Sequence, residues 1–195
     1  MQKTIRASRR TFLSLVTAGA LFMSSGSLAT AGEAQDQLVE KAKFTIGDVA
    51  AKSEMEQFRK LLAVAKGVVV FPQVLKAGAQ ANELVLVVMT DKALQVIISN
   101  QVKLGGDLSA AVGPVGTTLG ASTTTNLKVD VFSFAISKGL FIGASVEGSI
   151  LSSNSDSNES YYGQPVTSQQ IVIDRTVSNP HADGLRAALV AAEAK

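Results

Sequence analysis

Three groups of residues have types and spacings that could do chemistry. Asn154, Asp156 and Asn158 alternate like the opening of a calcium loop. That pattern needs a glycine at the sharp turn and a glutamate at the last ligand position, and Glu159 stands where the glycine belongs. The spacing therefore points to a solvated loop, and no metal site is expected. His181 is the single histidine. A catalytic imidazole needs a nucleophile or an orienting carboxylate beside it. At the start of a helix, where the dipole disfavours its charged form, His181 reads as a structural or exposed residue. Glu147 is the most distinctive acid, standing on a strand face otherwise made of Gly143, Ser145 and Ser149. Acid–base work would need a partner in the same pocket, and Asp107, Asp130, Lys103 and Lys128 are the possible neighbours. The other reading is a cross-strand ion pair or a solvated edge.

A fourth group is basic. Lys41, Lys43 and Lys52 flank an apolar helix stripe and are candidates for contact with an anionic lipid surface. Acids are interleaved with them, so the same helix could simply cover its own core. No nucleophile elbow, phosphate loop, dinucleotide fingerprint or zinc spacing occurs. The chain is expected to be no enzyme and to use no cofactor.

The elements that position these residues begin after a leader. Residues 1–31 have a basic start, a short apolar middle and a small-residue end, which reads as a signal peptide. Ser8-Arg9-Arg10-Thr11-Phe12-Leu13 resembles a twin-arginine export signal. The expected location is periplasmic or secreted. The whole chain has 18 basic and 16 acidic residues, net +2. Taking away Lys3, Arg6, Arg9 and Arg10 leaves 14 basic against 16 acidic in residues 32–195, net −2. No basic field remains to attract nucleic acid. Cysteine is absent, so no disulfide or lipid-anchoring cysteine is available.

Residues 32–195 are read as one domain. An apolar stripe of Leu38, Ala42, Ile46 and Val49 predicts a helix over 33–52. Ser53-Glu54-Met55-Glu56 reads as a capping box opening a second helix. Val68 to Phe71 predicts a strand stopped by Pro72, and Glu83 to Thr90 a central strand. Asp91 is expected to cap a helix through Ser99. Residues 101–112 look extended, with a bend at Gly105-Gly106. Leu127 to Ile136 and Leu140 to Leu151 predict two strands joined as a hairpin. In the second, Leu140, Ile142, Ala144, Val146 and Ile150 would share the oily face. Residues 152–163 read as a polar loop. Thr167-Ser168-Gln169-Gln170 reads as a capping box, and Asn179-Pro180 opens the last helix, with Leu185, Ala188, Leu189 and Ala192 inward. Helices, then strands, then helices predict an α+β fold. Its sheet would be curved and largely antiparallel, or an open barrel, with helices at the N- and C-terminal ends.

Five blocks follow one another in order: AKGVVVFPQVLKAG (65–78), LVLVVMTDKAL (84–94), LGGDLSAAVGPVG (104–116), FSFAISKGLFIGASVEGSIL (132–151) and YYG (161–163). Together they resemble the SYLF domain family, across nearly all of residues 32–195. The resemblance implies phosphoinositide binding, as in eukaryotic members. A yeast member also binds actin, which does not fit an exported bacterial protein; bacterial members are exported proteins described as lipid-binding or actin-regulator-like. It marks Gly139, Gly143, Ser145, Glu147 and Gly148 as a signature strand, whose Gly/Ser face admits another element that Glu147 pins. Members of the family carry a Gly-rich segment after the KAG block. Here Lys76-Ala77-Gly78 runs straight into Ala79-Gln80-Ala81, so this chain looks shortened there, which would expose a sheet edge. The expected function is non-enzymatic binding of phospholipid or a membrane surface. The alternative is an envelope module that pairs with a protein partner, or with a second copy, through that edge.

Overall fold

A computed structural model describes residues 31–74, 82–99, 101–114, 129–137, 140–141 and 146–194. Residues 1–30 of the leader, the fused block at 75–81, the Thr-rich stretch 117–126, Lys128, Gly139, Gly143 and Ser145 lie outside the described residues. Six α-helices are described: α1 (Ala31–Ala51), α2 (Glu56–Leu62), α3 (Asp91–Ser99), α4 (Ser155–Tyr162), α5 (Ser168–Val172) and α6 (Asp183–Glu193). Seven strands accompany them: β1 (Gly67–Val74), β2 (Asn82–Val88), β3 (Val102–Lys103), β4 (Ala110–Val112), β5 (Val131–Ser137), β6 (Leu140–Phe141) and β7 (Ile150–Leu151). The fold is α+β with helices at both ends, as the order of elements predicts.

The main sheet runs β1-β2-β5-β4, and β6 also pairs with β5. β1–β2, β2–β5 and β5–β6 are antiparallel, while β4 lies parallel to the first half of β5. Among the described strands the sheet does not close. β3 and β7 form a separate two-stranded ladder.

The strands separate two cores by their period of two. Val85, Val87, Phe132, Phe134 and Ile136 face α1, α2 and α6, joining Ile46, Phe58 and Ala192. Leu86, Val88 and Val131 face the other way, toward Ala93 of α3 and Val102, Leu104, Leu108 and Val146. Both faces are covered, which is why 84–88 is an unbroken apolar run. Phe58 and Phe134 meet edge to face, with centroids 5.0 Å apart. Gly113 lies flat against the Phe134 ring, where a Cβ would land on the ring atoms.

Four local expectations are corrected. Ser53 caps nothing: residues 53–55 form a single 3-10 turn, and neither it nor α2 has a side-chain cap. Ser53 Oγ bonds the adjacent Glu54 instead, and Arg59 donates to the carbonyls of Ala50 and Lys52, closing the end of α1. β1 continues through Pro72. Among the described strands it pairs with β2 alone, and Pro72 sits at the irregularity where the register shifts between Phe71 and Val74, a place in a strand that tolerates a residue without an N–H. Residues 155–162 are a helix, not a loop. Asn154 accepts from Ser157 N at 2.9 Å, and Gly163 closes the helix at φ +70°. The Asn/Asp spacing read against calcium is thus an N-cap and a first turn. Finally, 140–151 is not one strand. β6 ends its described pairing at Phe141, Glu147 and Gly148 form a turn, and β7 pairs with β3. Val146 is buried as expected, but Ile150 is 59% exposed.

The remaining signals hold. Thr167 and Gln170 form both bonds of the capping box. Asn179 accepts from His181 N at 2.9 Å ahead of α6. α3 begins at Asp91, although Thr90 supplies the cap, accepting from Ala93 N at 3.1 Å.

Candidate functional site

The second face of the sheet is not fully covered. A groove of about 510 Å³ opens between β1, the C-terminal half of α3, β7, the connector 152–154, α4 and α5. That size falls within the roughly 300–1,000 Å³ of small-molecule pockets. Its floor is apolar: Val69 and Phe71 from β1, Ile97 and Ile98 from α3, Ile150 and Leu151 from β7, and Val172 from α5. Its rim is Ser152, Ser153, Asn154, Asn158 and Ser168, hydroxyls and amides throughout. No charged side chain stands among its described lining residues.

Local sequence holds these walls. The β3–β7 ladder pairs Lys103 with Ile150 and Val102 with Leu151. The Asn154 cap fixes the start of α4, and the Thr167 box fixes the start of α5. Ser153 Oγ and Ser168 Oγ meet at 2.6 Å and tie the connector to α5. Ile150 and Val172, at 59% and 41% exposure, are large apolar residues left open to solvent, and both line the groove.

The lysines expected to meet lipid stand apart from it and from one another. Lys41 and Lys43, two residues apart on α1, point about 200° away from each other. Lys43 bonds Glu40 at 2.6 Å, sits 5.2 Å from the Phe44 ring centroid, and its stem lies against Gly184 of α6. Lys52 lies just past α1, where its charge acts on Glu83. Burial and the Asp48 carboxylate push Glu83 above the usual range, and Lys52 and a Thr45 hydrogen bond only partly oppose this. The outward side of α1 carries Glu33, Glu40 and Asp48 around exposed Phe44. Periodicity assigned Ala42, Ile46 and Val49 of the apolar stripe correctly, but Leu38 is 53% exposed, and the lysines flank the stripe on both sides.

Glu147 and its two candidate acidic neighbours have separate tasks. Glu147 lies over Gly105, whose φ is +80°, where an added Cβ would come within 2.9 Å of the Glu147 chain. Backbone bonds from Gly148 N to Leu104 O and from Leu104 N to Ser149 O dock this turn on the β3 end. Glu147 therefore meets the β3–β4 turn. Asp107 accepts from Lys103 N at 2.8 Å. Asp130 accepts from Thr90 Oγ1 at 2.7 Å and from Ser109 N and Oγ at 3.1 and 2.9 Å. Desolvation opposes its ionisation, but these bonds and the Lys92 charge outweigh it and hold the carboxyl below the usual range.

A polar cluster joins α1, α4 and the start of α6. His181 Nδ1 lies 3.5 Å from Asp36 Oδ2, a neighbour that sequence spacing could not reveal. Asn179 Nδ2 donates to Tyr161 O at 2.7 Å. Burial, then the neighbouring Tyr162 and Asp36, pushes the Tyr161 phenol up to about 12, so it stays neutral at ordinary pH. Among the described residues, no group of three or more His, Cys, Asp and Glu side chains could hold a metal ion. Nor is any described helix long and apolar enough to cross a membrane.

Sequence reading missed the groove because its walls come from four separate segments: β1, α3, the stretch 150–158, and α5. The one available signal was the run of three apolar residues, Ile171, Val172 and Ile173, in an otherwise polar stretch.

Comparison with known proteins agrees with the ordered blocks. A family model, Ysc84, described as "Las17-binding protein actin regulator", matches residues 74–192. Human SH3 domain-containing YSC84-like protein 1 is 31% identical over 109 residues, 55% of this chain and 32% of its own length. Protein YSC84 of Saccharomyces cerevisiae is 33% identical over 111 residues, 55% of this chain and 24% of its own length. LAS seventeen-binding protein 3 of the same yeast is 33% identical over 120 residues, 56% of this chain and 26% of its own. The matched part thus spans a third or less of each of these relatives. The match, running from the end of β1 through α6 and covering most of the sheet and the groove walls, places the chain in the Ysc84, or SYLF, family.

Proposed function

We propose that this chain is an exported, non-catalytic lipid-binding protein of the bacterial envelope, carried out by the twin-arginine route. The observation that carries the reading is the groove: apolar floor, neutral hydrogen-bonding rim, and exposed Ile150 and Val172 at its mouth. Such a surface gains roughly 25 cal/mol for each Å² of apolar area withdrawn from water, whether by an acyl chain or by the interior of a membrane surface. Lys41, Lys43 and Lys52 add at most a long-range attraction to anionic phospholipid, which salt screens. The test is flotation of the purified protein with anionic and neutral liposomes at low and high salt, with mass spectrometry of lipid retained through purification. Association that persists in high salt, or a retained lipid, supports the reading. A folded protein that neither floats nor retains lipid would overturn it.

A second reading rests on β1, which among the described strands is bonded on one side only. In it, the chain is an interaction module whose edge pairs with a protein partner or a second copy. The names of its relatives, Las17-binding and SH3 domain-containing, support protein partners in this family. A concentration-dependent dimer lost on Val70→Pro would favour it.

A further inference from the structure

We propose that the groove selects an amphiphile with a single hydrocarbon chain and an uncharged, hydroxyl-bearing head group, of the monoacylglycerol type. This rests on the lipid-binding reading and names the ligand class of that site.

The floor sets the chain. Phe71, Ile97, Leu151 and Val172 offer only hydrocarbon, over a volume of about 510 Å³. A site of that size holds one drug-sized molecule, hence one chain and not a two-chain phospholipid swallowed whole.

The rim sets the head. Ser153 and Ser168 bond each other, and the Asn154 carbonyl oxygen is committed to Ser157 N. The Ser152 hydroxyl, the Asn154 amide nitrogen and the Asn158 amide remain as neutral groups for a ligand's hydroxyls and ester carbonyl. Charges nearby are turned elsewhere. Lys103, opposite Ile150 in register, lays its stem over Gly106. On α4, Asp156 is two residues from Asn158 and so on the far side of the helix, and Glu159 lines a separate hollow with Pro165 and Gln170. Among the described lining residues, a carboxylate or phosphate drawn in beside the floor would lose water and meet no counter-charge, and an ammonium would meet no carboxylate.

The test is displacement of a fluorescent fatty alcohol by 1-monooleoylglycerol, oleate and oleoyl lysophosphatidylglycerol, below their aggregation concentrations, at low and high salt. Monooleoylglycerol should displace the probe at a concentration at least about tenfold lower than either anion, with no dependence on salt. Val172→Asp, a change at a half-open position, should weaken its binding by about tenfold or more while leaving the circular dichroism and melting temperature in place. Asn158→Leu should narrow the preference for the neutral head and keep chain binding. Equal or tighter binding of the anions, or wild-type affinity in folded Val172→Asp, would overturn this assignment and leave the lipid-binding reading standing. Failure of the folded protein to bind any of the three, with no flotation, would remove both.

Discussion

On one face of the sheet, Val85, Val87, Phe132 and Phe134 meet three helices and are sealed from solvent. On the other, Leu86, Val88 and Val131 meet one helix, two short strands and a turn, and the cover stops short over Val69 and Phe71. Over 68–71 and 84–88 the strands are apolar on both sides, so there the difference lies in what covers them, although β5 turns the smaller Ser133 and Ala135 to the patched side. Long helices with a continuous stripe, such as α1 and α6, leave no gap. A cover assembled from α3, β7, α4 and α5 leaves a groove. The sealed side serves stability, and the patched side is free to serve binding.

This contrast can be broken most forcefully at Phe134. Phe134→Ala empties the centre of the sealed side and should cost about 3–5 kcal/mol in chemical denaturation. A loss below about 1 kcal/mol would show that side to be loosely packed after all. Gly113→Ala forces a methyl group onto the same ring and should cost about 1–3 kcal/mol. The patched side should answer more softly. Asp130→Asn loosens the node that joins α3, β4 and β5 through Thr90 and Ser109, and this partly open site should lose about 1 kcal/mol or less at neutral pH. Its pH dependence has a definite sign. The folded carboxyl titrates below its ordinary 3.8, so its contribution is complete above that value and fades as pH falls through the lower folded one. Wild-type stability should therefore drop more steeply than that of Asp130→Asn in acid titrations below about pH 4. Glu83→Gln sharpens the comparison at the smallest scale. Its folded pKa is raised, so its ionised form opposes folding above the ordinary 4.5, and the variant should be unchanged or slightly more stable at neutral pH by thermal melting.

The layers were legible in the sequence wherever one period persisted. The stripe Ala42, Ile46, Val49 gave α1, the run 84–88 gave a strand buried on both faces, and Leu185 to Ala192 gave the inward side of α6. Local chemistry announced the Thr167 box and the Asn179-Pro180 start. What failed had a competing partner that spacing does not encode. Ser53 lost its capping role to Arg59, which reaches back seven and nine residues to Lys52 and Ala50. The alternation over 140–151 looked continuous because a turn at Glu147-Gly148 costs little when Gly148 takes φ +81°. The polar run 155–162 lacks an apolar stripe, so its helix could be read only from the Asn154 cap and the Gly163 stop. The groove was least legible of all, since only β7, the connector and α4 are continuous in sequence, and the other walls come from β1, α3 and α5.

The pairing of β2 with β5 carries a kinetic consequence. Val88 and Val131 are partners across the whole of residues 89–130, and Ile46 of α1 shares a core with Ala192 of α6. Contacts of such long sequence separation make a slow folder, because loop closure must precede the reward of burial. During synthesis the β1–β2 hairpin can form early, yet its apolar faces stay open until β5 arrives, and α1 has no α6 to lie on until the last helix leaves the ribosome. The nascent chain should thus depend on a holding chaperone for most of its translation, and should become protease-resistant in one late step.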